Sequence, residues 1–164
     1  LAGEFGLKVI ISEAIRDLYD LPVLYRAARD ALDMIIASNY HGENVCSVSQ
    51  LRTPLLLKNL ESRGDLISPE LRALAEHDRK KETQYCETLY FYLIYSHSLK
   101  KTCDALFTHR NTVLYRIGRI RDDFLIPLDD PERYTELLLG TAILLFQNKG
   151  PDFFLRTMPQ TDDE

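Results

Sequence analysis

The sequence predicts a mainly α-helical fold in which a helix-turn-helix domain follows a small α/β fragment with about two short strands. Three observations predict it. Residues 99–107 and 108–120 both carry apolar side chains at helical spacing, and about three residues separate the two helices. Further helical segments before and after this pair open on proline-marked starts. Only residues 7–12 (LKVIIS) and 45–48 (VCSV) have the short, apolar, β-branched character of strands.

Taken in order, the first strand is followed by a helix over residues 21–37. Leu24, Ala28, Ala31 and Ile35 fall on one of its faces, and Pro22 lies near its first turn. A strand-helix-strand unit of about 50 residues cannot close a core by itself. Its strands must therefore pair with each other, with a second copy or with the helical part. Thr53-Pro54 reads as the N-cap and first position of the next helix, which ends before Gly64. Ser68-Pro69-Glu70 opens another, running through Leu71, Leu74 and Ala75 into the polar stretch 77–81, where His77 and Asp78 read as exposed surface. Thr83 is the expected cap of a tyrosine-rich helix over 84–95, whose rings can be buried while their hydroxyls stay wet. Asp130-Pro131-Glu132 opens the last helix, with Leu137, Leu138, Ala142 and Leu145, and Gly150 stops it. The end beyond Pro151 is expected to fray. The best boundary lies between Arg63 and Pro69, giving an α/β fragment over 1–62, a helix-turn-helix domain over 63–150 and a tail over 151–164. No internal repeat is present.

The pair at 99–121 carries the chemistry. On a helical wheel Val113, Ile117 and Ile120 form an apolar stripe that Phe124 extends, while Arg110, Asn111, Thr112, Tyr115, Arg116 and Arg119 gather on the other side. Leu99, Cys103 and Leu106 repeat the spacing upstream. Six Lys/Arg against one acid give this window a charge of +5 in a chain of −5, so the remainder sums to −10. Positive charge is thus concentrated where the motif sits, which suits double-stranded DNA as the partner. Arg110 and Asn111 occupy the first turn, where arginine can pair bidentately with guanine and asparagine with adenine. Arg116 and Arg119 are placed for phosphates or deeper bases. Thr112 and Tyr115 can donate hydroxyl hydrogen bonds to phosphate oxygens. Thr108 reads as the N-cap, and His109 as either a phosphate contact or a capping or packing residue. Gly118 suits the close approach of another helix or of the DNA backbone.

The run ETLYFYL at residues 87–93, Cys103-x-x-Leu106 and His109-Arg110-Asn111-Thr112-x-x-Tyr115-Arg116 together resemble the C-terminal helix-turn-helix domain of the PucR/CdaR regulators. The likeness continues through Asp129-Asp130-Pro131-Glu132-Arg133 and covers roughly residues 83–146. These regulators are bacterial transcription factors for purine catabolism, sugar diacids and related pathways. The resemblance implies that the helix starting near His109 enters the major groove, and that the domain is distantly similar to the nucleoid protein Fis. Cys103 stands where the family usually carries alanine, and Leu114 where many members carry a polar or basic side chain. Residues 10–12 (IIS) and the run LxxLYRAARDAL from Leu21 also resemble the tail of the degenerate GGDEF-like domain that precedes this motif in CdaR-type regulators. On that reading the first half of the GGDEF-like domain is absent and the chain, which starts with Leu, is a piece of something longer. Ala2-Gly3-Glu4-Phe5 is read as coincidence or a cloning scar and not as a cyclase signature.

Other classes find little support. His41, His77, His97 and His109 show no zinc spacing, and no nucleophile elbow, P-loop or dinucleotide fingerprint occurs, so neither an enzyme nor a cofactor is expected. The longest apolar run, 137–146, is far shorter than the roughly 18 residues of a membrane span. Three scattered cysteines (Cys46, Cys86, Cys103) argue against a disulfide framework and for a reducing cytoplasm. The expectation is the DNA-binding end of a ligand-responsive regulator, acting as a homodimer, with its small-molecule effector bound outside this chain. The alternative is a dimerisation or signal-relay module whose basic helix meets an acidic protein partner.

Overall fold

The computed structural model describes residues 7–157 apart from Asn39 and His41, so residues 2–5, His41 and the acidic end at 161–164 lie outside the described residues. The chain divides into two compact units, Leu1–Asn59 with Lys149–Glu164, and Leu60–Asn148.

The first unit opens with β1 (Val9–Ile11), α1 (Leu21–Ala37), β2 (Val45–Ser47) and α2 (Val48–Leu60). The two strands pair with each other in parallel, Val9 opposite Val45 and Ile11 opposite Ser47. Parallel neighbours need a crossover, and α1 supplies it. Of the apolar face predicted for α1, Ala31 and Ile35 are buried, with Met34 beside them, while Leu24 and Ala28 are half-buried.

The start of α2 differs from the sequence reading. The helix begins at Val48, and Pro54, expected at its first position, lies buried in its interior. The cause is a capping box immediately after β2. The Ser47 N–H donates to Gln50 Oε1 (2.8 Å) and the Gln50 N–H donates to Ser47 Oγ (3.3 Å). Two orphan amides are thereby satisfied, and nucleation there outweighs the one backbone hydrogen bond that Pro54 removes.

The second unit contains α3 (Pro69–Lys81), α4 (Tyr85–Ile94), α5 (Leu99–Leu106), α6 (Arg110–Phe124) and most of α7 (Tyr134–Lys149). Its centre is α4, which packs against α3, α5 and α6. Tyr85, Cys86, Thr88, Leu89, Tyr90, Phe91 and Leu93 are all buried, so this helix has no solvent face of the usual width.

Such a helix needs its first amides satisfied away from water, and the solution was not legible in the sequence. Thr83 does not cap it, and the N-cap position falls on Gln84 without a side-chain bond. Instead Asp78, at the end of α3, accepts the Tyr85 N–H at Oδ1 (2.9 Å) and the Cys86 N–H at Oδ2 (2.7 Å). Thr83 Oγ1 donates to the same carboxylate (2.5 Å). Asp78 is therefore buried, contrary to the expected surface position. His77 is half-buried as well, its ring stacked 5.2 Å from that of Tyr85 and edge-on to Phe124.

α7 starts one turn later than its Asp130-Pro131-Glu132 signal, because Asp130 Oδ1 accepts the Glu132 N–H (2.9 Å) and holds these residues in a turn. A Cβ at Gly140 would lie 2.7 Å from Leu71 Cδ1, so the glycine lets α7 close on α3. Arg133 fastens the same pair, donating to Glu136 (2.6 Å) and Glu70 (3.5 Å). Beyond Gly150 the chain forms α8 (Pro151–Thr157) where fraying was expected, with Phe154 only 1 % exposed. No helix among the described residues is long and apolar enough to cross a membrane.

Candidate nucleic-acid interface

α5 and α6 form the predicted pair. Ser98 caps α5, its Oγ accepting the Lys101 N–H (3.5 Å), and Thr102 Oγ1 donates back to the Ser98 carbonyl (2.8 Å). Three residues connect the helices. Phe107 takes the left-handed conformation (φ 50°) that ends α5, and the Thr108 N–H donates to the Cys103 carbonyl. The N-cap of α6 is His109, one residue later than the sequence reading placed it, and it makes no side-chain capping bond. Thr108 is half-buried in the turn.

Val113, Ile117 and Ile120 are buried, so the stripe read from the sequence is the face that packs, and α6 sits against α3, α4 and α5. The opposite face holds His109, Arg110, Asn111, Tyr115 and Arg119, all exposed, with Thr112 and Arg116 half-buried at its edge. Asn111, Tyr115 and Gly118 lie in line at i, i+4 and i+7, pointing away from the core.

The charges are less free than the count suggests. Arg116 turns back to α4, donating from Nη2 to Gln84 Oε1 (2.9 Å) and from Nη1 to Thr88 Oγ1 (3.3 Å). Arg119 pairs with Asp123 (2.6 Å), whose charge raises its guanidinium further above the ordinary value. Arg121 pairs with Asp122 and, by that hydrogen bond, holds the Asp122 carboxyl below its usual range. Among the described residues Lys100, Lys101 and Arg110 carry no ion pair. Uncompensated positive charge therefore lies at the first turns of α5 and α6, and acids close the far end of α6. Lys100 and Lys101 were not among the predicted site residues, although a basic pair just after a serine cap was a signal for them.

Of the two approaches that Gly118 would suit, the structure bears only on that of another helix. No atom lies within 4 Å of the place a Cβ would occupy, so no neighbouring helix requires the glycine. Gly118→Ala is expected to raise stability by about 0.5–1 kcal/mol through helix propensity. Thermal unfolding checks this, and a fall in melting temperature would reveal packing over that position.

Residues 85–143 match the PucR C-terminal helix-turn-helix domain. Over 127 residues the chain is 28 % identical to the proline-responsive transcriptional activator PutR of Bacillus subtilis, covering 74 % of this chain and 31 % of that protein. Over 137 residues it is 29 % identical to the purine catabolism regulatory protein of the same organism, covering 79 % of this chain and 24 % of that protein. The chain thus spans less than a third of the length of these relatives. No solved structure matches it. α5, its turn and α6 all lie inside the segment similar to the PucR C-terminal helix-turn-helix domain, and this part of the chain is the DNA-binding part of a transcriptional regulator.

Proposed function

We propose that α6 is the recognition helix and enters the major groove, with Arg110 and Asn111 reading base edges from its first turn. The observation that carries this reading is the exposed row of Arg110, Asn111 and Tyr115 opposite a buried Val113–Ile117–Ile120 stripe. Thr108, His109, Thr112 and Tyr115 act on phosphates, as do the uncapped amides at the start of α6, where the helix dipole favours an anion. Arg119 reaches phosphate by exchanging its partner Asp123. Arg116, hydrogen-bonded to Gln84 and Thr88, fixes the tilt of α6 on α4 and reaches DNA only by leaving them. Lys100 and Lys101 add phosphate contacts from the first helix, which crosses the backbone in such motifs.

On this reading the chain acts as a homodimer whose recognition helices meet half-sites about one helical turn (~34 Å) apart. The parallel β1-α1-β2 unit is the tail of a degenerate GGDEF-like domain, in keeping with its strand-helix-strand order. The effector is a small molecule, in keeping with the proline response of the relative PutR, and binds outside this chain.

Selection from a random duplex library, followed by anisotropy titration of the enriched duplex at two salt concentrations, tests the reading. Enrichment of a two-fold repeated site supports it. Absence of salt-dependent binding by a folded sample overturns it in favour of a basic surface for an acidic protein. Lys100→Ala and Lys101→Ala are each expected to lower the salt slope by about one, and Arg116→Ala by less, because its charge is held against α4. An equal or larger slope change for Arg116 would show that it leaves Gln84 for a phosphate.

A further inference from the structure

Phe107 breaks two local rules at once. It is 98 % exposed, the most exposed of the large apolar side chains described. It also adopts φ 50°, a left-handed conformation that glycine or asparagine would take with less strain than a bulky residue. Glycine there would both end α5 more readily and remove apolar surface from water. Nothing within the fold rewards the phenylalanine. Its exposed neighbours along the chain are polar. His109 and Arg110, which follow, and Asp104, which precedes, are exposed and polar, and Arg110 is one of the cations without an ion pair among the described residues.

The position is informative. Phe107 stands at the mouth of α6, three residues before Arg110 and four before Asn111, the side chains aimed at base edges. A polyanion drawn to Lys100, Lys101 and Arg110 would bring its own apolar surface against the ring. In a duplex the apolar groups at groove level are the thymine methyl and the deoxyribose. Resting on the recognition-helix reading, we propose that Phe107 is a DNA contact that packs on this apolar surface beside the bases read by Arg110 and Asn111. The benzyl group would be covered on binding, and only there.

The test uses the chain with a duplex enriched from the random library. Phe107→Gly and Phe107→Asn both suit the left-handed backbone, so both variants are expected to fold with a melting temperature equal to or above that of the unsubstituted chain. Both are expected to bind that duplex roughly tenfold more weakly or worse, the loss that follows from no longer covering one phenylalanine. The salt slope should stay unchanged, because no phosphate contact is removed. Replacing thymines of the site with deoxyuridine, one at a time, identifies the surface. If one replacement weakens the unsubstituted chain but not Phe107→Gly, the methyl group is the contact. If none does while Phe107→Gly still binds weakly, the contact is deoxyribose. Folded variants that bind as tightly as the unsubstituted chain overturn the proposal alone. Failure of the unsubstituted chain to bind any duplex overturns the recognition-helix reading, and this proposal with it.

Discussion

Asp78→Ala is expected to destabilise the helical unit by about 3–4 kcal/mol, since each amide bonded to a charged group contributes about 1.5–3 kcal/mol and loss of the partner leaves buried donors unpaired. The carboxylate bonds the first two amides of α4 and the Thr83 hydroxyl, and it is only 8 % exposed. Alanine leaves the amides of Tyr85 and Cys86 at the buried end of an almost wholly buried helix. Asp78→Asn retains one acceptor oxygen and is expected to cost about half as much. Urea unfolding followed by circular dichroism measures both, and a loss below 1 kcal/mol for alanine would show that water replaces the carboxylate. Because α4 carries α5 and α6, DNA affinity should fall only in proportion to the folded fraction. A folded Asp78→Ala sample that binds poorly would instead place Asp78 in the positioning of α6.

Arg110→Ala and Asn111→Ala are each expected to cost about 1–3 kcal/mol of binding to the selected site, the range for one bidentate base contact. Together they should reduce affinity about a hundredfold or more, if the contacts lie on separate base pairs and add. The two differ in signature. Asn111 is uncharged, so its loss should erase the preference between the selected duplex and a scrambled one while leaving the salt slope unchanged. Arg110 carries charge without an ion pair among the described residues, so its loss should lower both specificity and slope. Equal weakening on selected and scrambled duplexes by both variants would relocate base reading to another surface. Neither residue is buried, so neither variant should unfold the domain.

Much of this molecule could be read before any coordinates. The strands at Val9–Ile11 and Val45–Ser47, the helix at Leu21–Ala37 and the α5–turn–α6 pair were legible because each depends on local periodicity. So was the face of α6 that packs, since Val113, Ile117 and Ile120 repeat at the helical period whatever they touch. The opening of α2 was also local in origin, although the proline at 54 drew attention away from the serine and glutamine at 47 and 50 that cap it.

Other features had no local signal. Asp78 caps a helix seven residues downstream, and its polar neighbours at the end of α3 give the pattern of a solvated face. Arg116 and Arg119 count equally in a charge sum, yet one is held by Gln84 and Thr88 on α4 and the other by an acid one turn along its own helix. Sequence by itself thus determined which segments are helical, which face of each is apolar and that a basic helix follows a short turn, because periodicity and capping act over a few residues. Only the tertiary structure decided which charges stay free, which carboxylate is buried and that Phe107 stands in solvent, because these depend on what the fold brings beside each side chain.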